Sequence, residues 1–417
     1  MRVTLFAIIA LFIMYAASLA QDVAPEEAST PVDSQGRPLP AYAPQLARGE
    51  IMVFPYASNL EWCIRNSFAA NGIANPYTTP ITGDMVSKIR HISCYSPVPK
   101  VPEHVFDPDR NNTVRSLQGI EYFHNLETLV IDGFTEIEDL YYLSGLPNLT
   151  KVDIKNSRIK DISPLAYNRL MKRVLLDNNS VTDLSPLAGL KDLKELSLRY
   201  QAPDYITNIS SLAGKTTLAI LDLQGNKLED ISSLANQNLR ILNLRDNRLT
   251  SIEALRSVST LESIDISINM ITDISPLASS KANLQTINAA HNGITNIDFI
   301  TEPMPKLTVL KLSDNQIVDI TPITKIDPRG RHRLELLLDK NNITDIMPLR
   351  DLANLFMIYI IRLSYNCIEG VDSIQFLHDS SRIPYTFIGR QCVDRPAFTE
   401  ENTDAHVVNR DQVTGSQ

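Results

Sequence analysis

"ILNLRDNRLTSIEAL", Ile241 to Leu255, is the stretch that decides the fold. Leu242 and Leu244 alternate with polar residues, the pattern of a short strand with one buried face. Leu249, Ile252 and Leu255 then close the coil over the same interior. Nearly the same line stands at Ile220–Leu234 ("ILDLQGNKLEDISSL") and at Ser263–Leu277 ("SIDISINMITDISPL"). The slot held by Asn247 recurs at Phe134, Ser157, Asn179, Gln201, Asn226, Asn269, Asn292, Asn315, Asn341 and Asn366, at separations of 21 to 26 residues. A unit of that length cannot bury its own core, so the repeats must stack into a solenoid.

Eleven such units make an α/β solenoid of the leucine-rich repeat kind. The expected form is a horseshoe with a parallel concave β-sheet and short 3-10 turns on the convex side. A coil of about 22 residues has no room for a strand and a long helix. The prolines at 164, 186, 276, 322 and 348 fit tight outer turns where no ladder donor is needed. Asn179, Asn226, Asn247, Asn269, Asn292, Asn315, Asn341 and Asn366 form the expected ladder, each bonding backbone groups of its own and the neighbouring coil. Phe134, Ser157 and Gln201 break that run, so the first coils should be less regular. Asp161, Asp183, Asp273, Asp319 and Asp345 recur once per coil before Ile or Leu, which marks a structural turn role.

The array needs covered ends. Before it, "NLEWCIRNSF" sets Leu60, Cys63, Ile64 and Phe68 at helical spacing, with Ser58 or Asn59 as a cap. Thr82 and Asp84 offer the start of a second helix over "GDMVSKIRHI". The expected organisation is a signal peptide over 1–20, a flexible leader over 21–49, a helical cap with a partial repeat over 50–125, and repeats over 126–377. A disulfide-linked cap over 378–395 and a flexible tail over 396–417 complete it. The signal reading rests on Arg2, the apolar run Val3–Ala17 and the small residues Ser18 and Ala20. The leader is rich in Pro, Ala, Glu and Ser, too poor in large apolar side chains to fold alone. The four cysteines flank the array, and in an exported chain the expected pairs are Cys63–Cys94 and Cys367–Cys392.

Composition narrows function. With 43% apolar and 21% charged residues the chain is globular, and a net charge of −9 argues against nucleic acid or an anionic membrane as partner. No later segment approaches the roughly 18 apolar residues of a membrane span. The seven histidines are scattered, and no metalloprotease, nucleophile-elbow or phosphate-loop motif occurs, so no enzyme, cofactor or metal is expected. Sequons at Asn111, Asn148, Asn178, Asn208 and Asn342 match the number expected by chance in a chain of this composition.

The repeat "NNSVTDLSPLAGLKDLKELSL" and the preceding "FPYASNLEWCIRNSFAANGIANPYTTPITGDMVSKIRHIS" resemble the internalin-type leucine-rich repeat proteins, over about Phe54 to Leu377. That resemblance implies an exported protein that holds a host or partner protein on its concave face. Two departures stand out: the C-terminus carries no cell-wall sorting motif, and the cap cysteines lie outside the matched pattern. The expected reading is a secreted, monomeric adhesin or host-interaction factor with a protein ligand, a glycosylated surface receptor among the candidates. The alternatives are a phosphatase-regulator-like scaffold, an enzyme inhibitor, or a wall or matrix component.

On the expected concave face one group stands apart. Ile220 and Ile241 share a column in adjacent coils, with Arg199 and Tyr200 one coil earlier and Asp222, Asn243 and Arg245 beside them. Aliphatic, aromatic and Arg side chains near the middle of a face are what binding hot spots use. Ordinary strand-face residues are the competing reading, since β-branched side chains suit strands. Two insertions also break the rhythm, "RYQAPDYITNI" and "TKIDPRGRHRLEL". The second carries Lys325, Arg329, Arg331 and Arg333, expected on the outer side as a solvated loop or a dock for an acidic partner.

Overall fold

The computed structural model describes residues 35–37, 45–52, 59–73, 80–95, 114–133, 136–326, 333–354, 358–368, 385–389 and 391. Thirteen strands form one parallel sheet in chain order. They are β1 (His91–Tyr95), β2 (Thr128–Asp132), β3 (Lys151–Ile154), β4 (Arg173–Leu175), β5 (Glu195–Ser197), β6 (Ile220–Asp222) and β7 (Ile241–Asn243). There follow β8 (Ser263–Asp265), β9 (Thr286–Asn288), β10 (Val309–Lys311), β11 (Leu334–Leu337), β12 (Ile358–Arg362) and β13 (Tyr385–Phe387). Each strand pairs only with its sequence neighbours, as a solenoid requires. The register sets Leu221, Leu242, Ile264 and Ile287 in one column. All four are buried, as are Leu249, Ile252 and Leu255, so one apolar core runs the length of the stack.

The outer connections are short 3-10 turns, such as Ser232–Leu234 and Ser275–Ser280. A polar side chain two residues ahead, most often Asp, holds the start: Asp273 accepts from Ser275 N at 2.7 Å and from Ser275 Oγ at 2.9 Å, while Asn208 and Ser251 take that place before Ser210 and Glu253. Asp161, Asp183, Asp319 and Asp345 do the same for the backbone two residues on. Two described connections depart from the 3-10 expectation: Pro348–Asn354 is an α-helix, and no 3-10 helix stands between β9 and β10.

The asparagine slot carries ten consecutive rungs. Asn247 Oδ1 accepts from Leu228 N of the preceding coil at 3.0 Å, while Nδ2 donates to Leu223 O and Leu244 O. Asn179, Asn226, Asn269, Asn292, Asn315, Asn341 and Asn366 repeat that geometry. Gln201 does as well, accepting from Val181 N and donating to Leu176 O, so the side-chain amide is what the rung requires. A further rung, Gln391, stands beyond the last expected slot and accepts from Ile368 N. Ser157 is too short to join; its hydroxyl lies 3.4 Å from Lys155 O. Phe134 lies outside the described residues.

The N-terminal cap departs from expectation in two ways. Helix α1 (Asn59–Asn66) buries Leu60, Cys63 and Ile64, with Phe68 buried just beyond. Cys63 is bonded to Cys94 of β1, with 5.2 Å between Cα atoms. The second helix, α2, covers only Gly83–Val86, and the side chain of Thr82 makes no cap bond. The chain extends instead into β1, where Ile92 and Cys94 point inward at strand spacing and Asn71 Oδ1 accepts from Arg90 N and His91 N. Pairing with β2 supplies ladder bonds that a helix continuing over Lys88–Ile92 would forgo.

The second departure concerns the leader. Ile51 bridges Thr82, and Met52 N donates to Ile81 O at 2.8 Å. A Cβ on Gly83 would stand 2.3 Å from Ala47 O, so residues 46–47 sit where only glycine admits them. Arg37 reaches Asp139 at 3.0 Å and lies 4.5 Å from the Tyr141 ring centroid. The chain from 45 onward is thus part of the cap. The expected signal peptide, most of the leader, Cys392 and the tail lie outside the described residues; Cys367 is disulfide-bonded. Among the described residues no helix is long and apolar enough to cross a membrane.

Candidate functional site: the strand face

The register fixes which side chains share the outward face. Between the two buried columns runs Val130, Asp153, Leu175, Ser197, Asp222, Asn243, Asp265, Asn288, Lys311, Leu337 and Arg362. Phe387 of β13 continues it. One step earlier in each strand, Ile220 and Ile241 are direct neighbours. Ile241 is 42% exposed, high for a large aliphatic side chain.

The centre of this face is hydrogen-bonded across coils. Arg199 Nη2 donates to Asp177 Oδ2 at 3.0 Å, and its Nε stands 4.0 Å from Asp222 Oδ2. Asn243 Nδ2 donates to Asp222 Oδ2 and to Gln224 Oε1. Gln224 Nε2 donates to Tyr200 Oη at 2.6 Å. Arg245 Nη1 donates to Ser267 Oγ, which shares Asp265 with Asn288. Burial pushes the Asp222 carboxyl up, and bonds from Gln224 N and Asn243 and the nearby Arg199 only partly offset it. Burial works to lower the Arg199 guanidinium, but the bond and charge of Asp177 outweigh it and raise it.

Tyr200 sits apart from the isoleucines. It occupies the left-handed position before the ladder amide (φ 51°), one step past the outward residues. Its ring lies over Gly225, where a Cβ would meet Cδ1 at 2.1 Å. Gly225 is five residues beyond Ile220, so Tyr200 and the isoleucine pair stand roughly 15 Å apart at opposite margins of the sheet. The seven residues singled out from the sequence are therefore not one patch. Ile220 and Ile241 form one margin, Tyr200 the other, and Arg199, Asp222, Asn243 and Arg245 the bonded floor between them.

A second cluster closes the C-terminal end. The register of β11 and β12 shifts at Leu334/Glu335, leaving Tyr359 as an extra residue. Such a bulge re-aims a side chain. The Tyr359 ring meets Tyr385 edge-on, with centroids 5.2 Å apart. Arg333 stacks on Tyr359 at 4.7 Å, and Arg362 lies 5.7 Å over Phe387. Arg333 was expected on the outer side with Lys325; stacking draws it to the strand margin, and Arg329 and Arg331 lie outside the described residues. Arg362 bonds Asp339 at 3.0 Å. Burial pushes Asp339 up, against the lowering influence of Arg362 and Ser364. The sequence reading did not single out this cluster; the convergence of its aromatic residues depends on the bulge and on β13.

On the outer turns, a groove of about 560 Å³ opens between Ser232–Leu234 and Glu253–Ser257. Its acids are engaged, Asp230 by Ser232 and Glu253 by Arg256. Among the described residues no three His, Cys, Asp or Glu side chains gather as a metal site.

The family described as Leucine Rich repeats (2 copies) matches residues 237–279 and 282–325. No curated protein matches the chain by sequence. Among solved structures, the internalin InlF of Listeria monocytogenes aligns at 27% identity and a TM-score of 0.68, covering 81% of this chain and 90% of that one. The functional domain of InlJ from the same organism, which includes a cysteine ladder, aligns at 18% identity and a TM-score of 0.52, covering 83% of this chain and 63% of that one. The plant peptide hormone receptor RGFR1, solved in complex with RGF2, aligns at 19% identity and a TM-score of 0.50, covering 66% of this chain and 49% of that one. The last two show the fold alone.

Proposed function

We propose that this internalin-type leucine-rich repeat protein is an exported, non-catalytic binding protein that holds a protein partner on its strand face. The observation that carries the reading is the face itself: outward columns in register from β2 to β13, with a hydrogen-bonded polar floor and the exposed Ile241 beside the half-buried Ile220. A floor bonded in advance loses little conformational entropy when a partner is laid on it. Export is supported by the apolar N-terminal stretch and by the Cys63–Cys94 disulfide, which suits an oxidising compartment. A surface protein of another cell is the partner class this reading favours, and a monomer is the expected state.

The test is affinity capture from surface-protein extracts with the mature chain, followed by Ile241→Glu. A carboxylate at a position 42% exposed should leave the thermal melt nearly unchanged. Partner retention is expected to fall at least about tenfold, as for a charge placed in a hydrophobic contact. Undiminished capture by Ile241→Glu would remove the isoleucine margin from the binding surface.

A further inference from the structure

We propose that the C-terminal end of the strand face, built from Arg333, Tyr359, Ile360, Arg362, Tyr385 and Phe387, is the anchoring subsite, and that it takes an acidic segment carrying an apolar side chain. This rests on the strand-face reading and names the chemistry of its partner. Three observations carry it.

The first is composition in place. Three aromatic rings and two guanidiniums converge within two adjacent strands and the residue leading into β11, through the contacts at 5.2, 4.7 and 5.7 Å. Hot spots are enriched in Tyr and Arg, and nowhere else on the described face do they gather this densely. The second is the bulge at Tyr359, a deliberate break in a sheet otherwise in simple register. It turns one ring outward to join its neighbour.

The third is charge. The chain carries −9 overall, yet the described residues of this end are net basic. Lys311, Arg333 and Arg362 face it, against Glu335 and Asp339. Asp339, with its side chain 11% exposed, is consumed by Arg362 and by Ser364 N. Among the described residues Arg333 has no carboxylate partner and is exposed. A guanidinium laid over a ring can keep N–H donors directed outward in its own plane, suited to a carboxylate. An acidic side chain would bond that fork while a neighbouring apolar one packs on Tyr385 and Phe387. In the centre both guanidiniums, Arg199 and Arg245, spend donors on Asp177 and Ser267, whereas at this end Arg362 does so and Arg333 does not.

The experiment is fluorescence anisotropy of the full mature chain with a labelled peptide alternating Glu and Phe, beside its Lys and Phe counterpart. The acidic peptide should bind at least about tenfold more tightly, and its affinity should fall with added salt. Arg333→Glu should weaken it by about tenfold or more, and Arg333→Lys by less, since the charge stays and the stacked fork is lost. Val318→Glu, at a 52% exposed position outside the strands, should change it by less than about twofold. Equal binding of the two peptides, or an unchanged affinity in Arg333→Glu, overturns the proposal. If Ile241→Glu abolishes partner capture while Arg333→Glu alters neither assay, the subsite fails and the strand-face reading stands. If neither variant alters capture, the strand-face reading fails as well.

Discussion

The centre and the C-terminal end of the strand face share one backbone plan and differ in what their side chains are bonded to. In the centre, Asp222, Asn243, Gln224 and Tyr200 are hydrogen-bonded across three coils, and Arg199 bonds Asp177 while its Nε stands 4.0 Å from Asp222 Oδ2. At the end, Tyr359, Tyr385 and Phe387 pack as rings, with Arg333 laid on top. The centre is mostly sealed by its own hydrogen bonds, Arg199 Nε excepted; at the end Arg362 is likewise spent on Asp339, and Arg333 is the guanidinium without a carboxylate partner among the described residues. An outward column of a repeat protein is thus not uniformly a binding surface. Which part can grip depends on whether neighbouring coils have already used each other.

The largest expected effect tests whether both regions rest on the same support. Asn247→Ala strands Leu228 N, Leu223 O and Leu244 O in the middle of the stack. The cost should be about 1–3 kcal/mol, the penalty for buried polar groups without partners. Gln391→Ala removes the same kind of bonds from Ile368 N and Leu363 O, but at the last rung. End coils open more readily, so the loss should be smaller there. Urea unfolding of the two variants measures both. An equal loss would mean that the ladder is no weaker at its end.

The repeat period made the buried columns legible, because each inward side chain recurs at a spacing only a stacked coil explains. The outward columns followed, since a strand alternates its faces. Three things were hidden. The cross-coil bonds of the centre need side-chain geometry: Arg199 and Asp177 stand 22 residues apart and meet only in the fold. Strand β1 looked like the end of a helix, because five residues at Lys88–Ile92 carry too little periodicity to decide. Strand β13 has three residues, and its one inward position is Thr386 where the other coils place a large apolar residue, so no repeat pattern detects it. With β13 unseen, Tyr385 and Phe387 had no place on the face, and Arg333 was left on an outer loop.

A pair of arginines sharpens the contrast. Arg199→Ala leaves Asp177, its side chain 3% exposed, with only Ser197 Oγ and the backbone N of residue 199 as partners. Stranding a buried carboxylate is costly, but Arg199 itself is 40% exposed, so about 1–2 kcal/mol is expected. Arg333→Ala strands no carboxylate among the described residues and should stay within about 0.5 kcal/mol. Thermal melts give both values. A loss at Arg333 as large as at Arg199 would show that the end is a structural cluster rather than an available one.

The smallest effect is one of sign. Asp222 and Asp339 are pushed up by burial, so between the ordinary carboxyl range and their folded values the folded chain holds more protons than the unfolded one. Their share of stability therefore falls as pH rises through that window. On the outer turns, Asp230 is held down by the bonds from Ser232, and Asp319 by those from Thr321. Their share is present above the ordinary carboxyl range and is lost as pH falls through their lowered folded values. Asp222→Asn should thus look more favourable relative to the parent at about pH 7 than at about pH 3. Asp230→Asn keeps an acceptor for Ser232 N and loses the charge, and should show the opposite trend. Asp230 is exposed, so its change should be no more than a few tenths of a kcal/mol. Urea midpoints at the two pH values decide it. If both variants shift in the same direction with pH, the face carboxylates are not destabilised by burial, and the sealed character assigned to the centre loses its electrostatic basis.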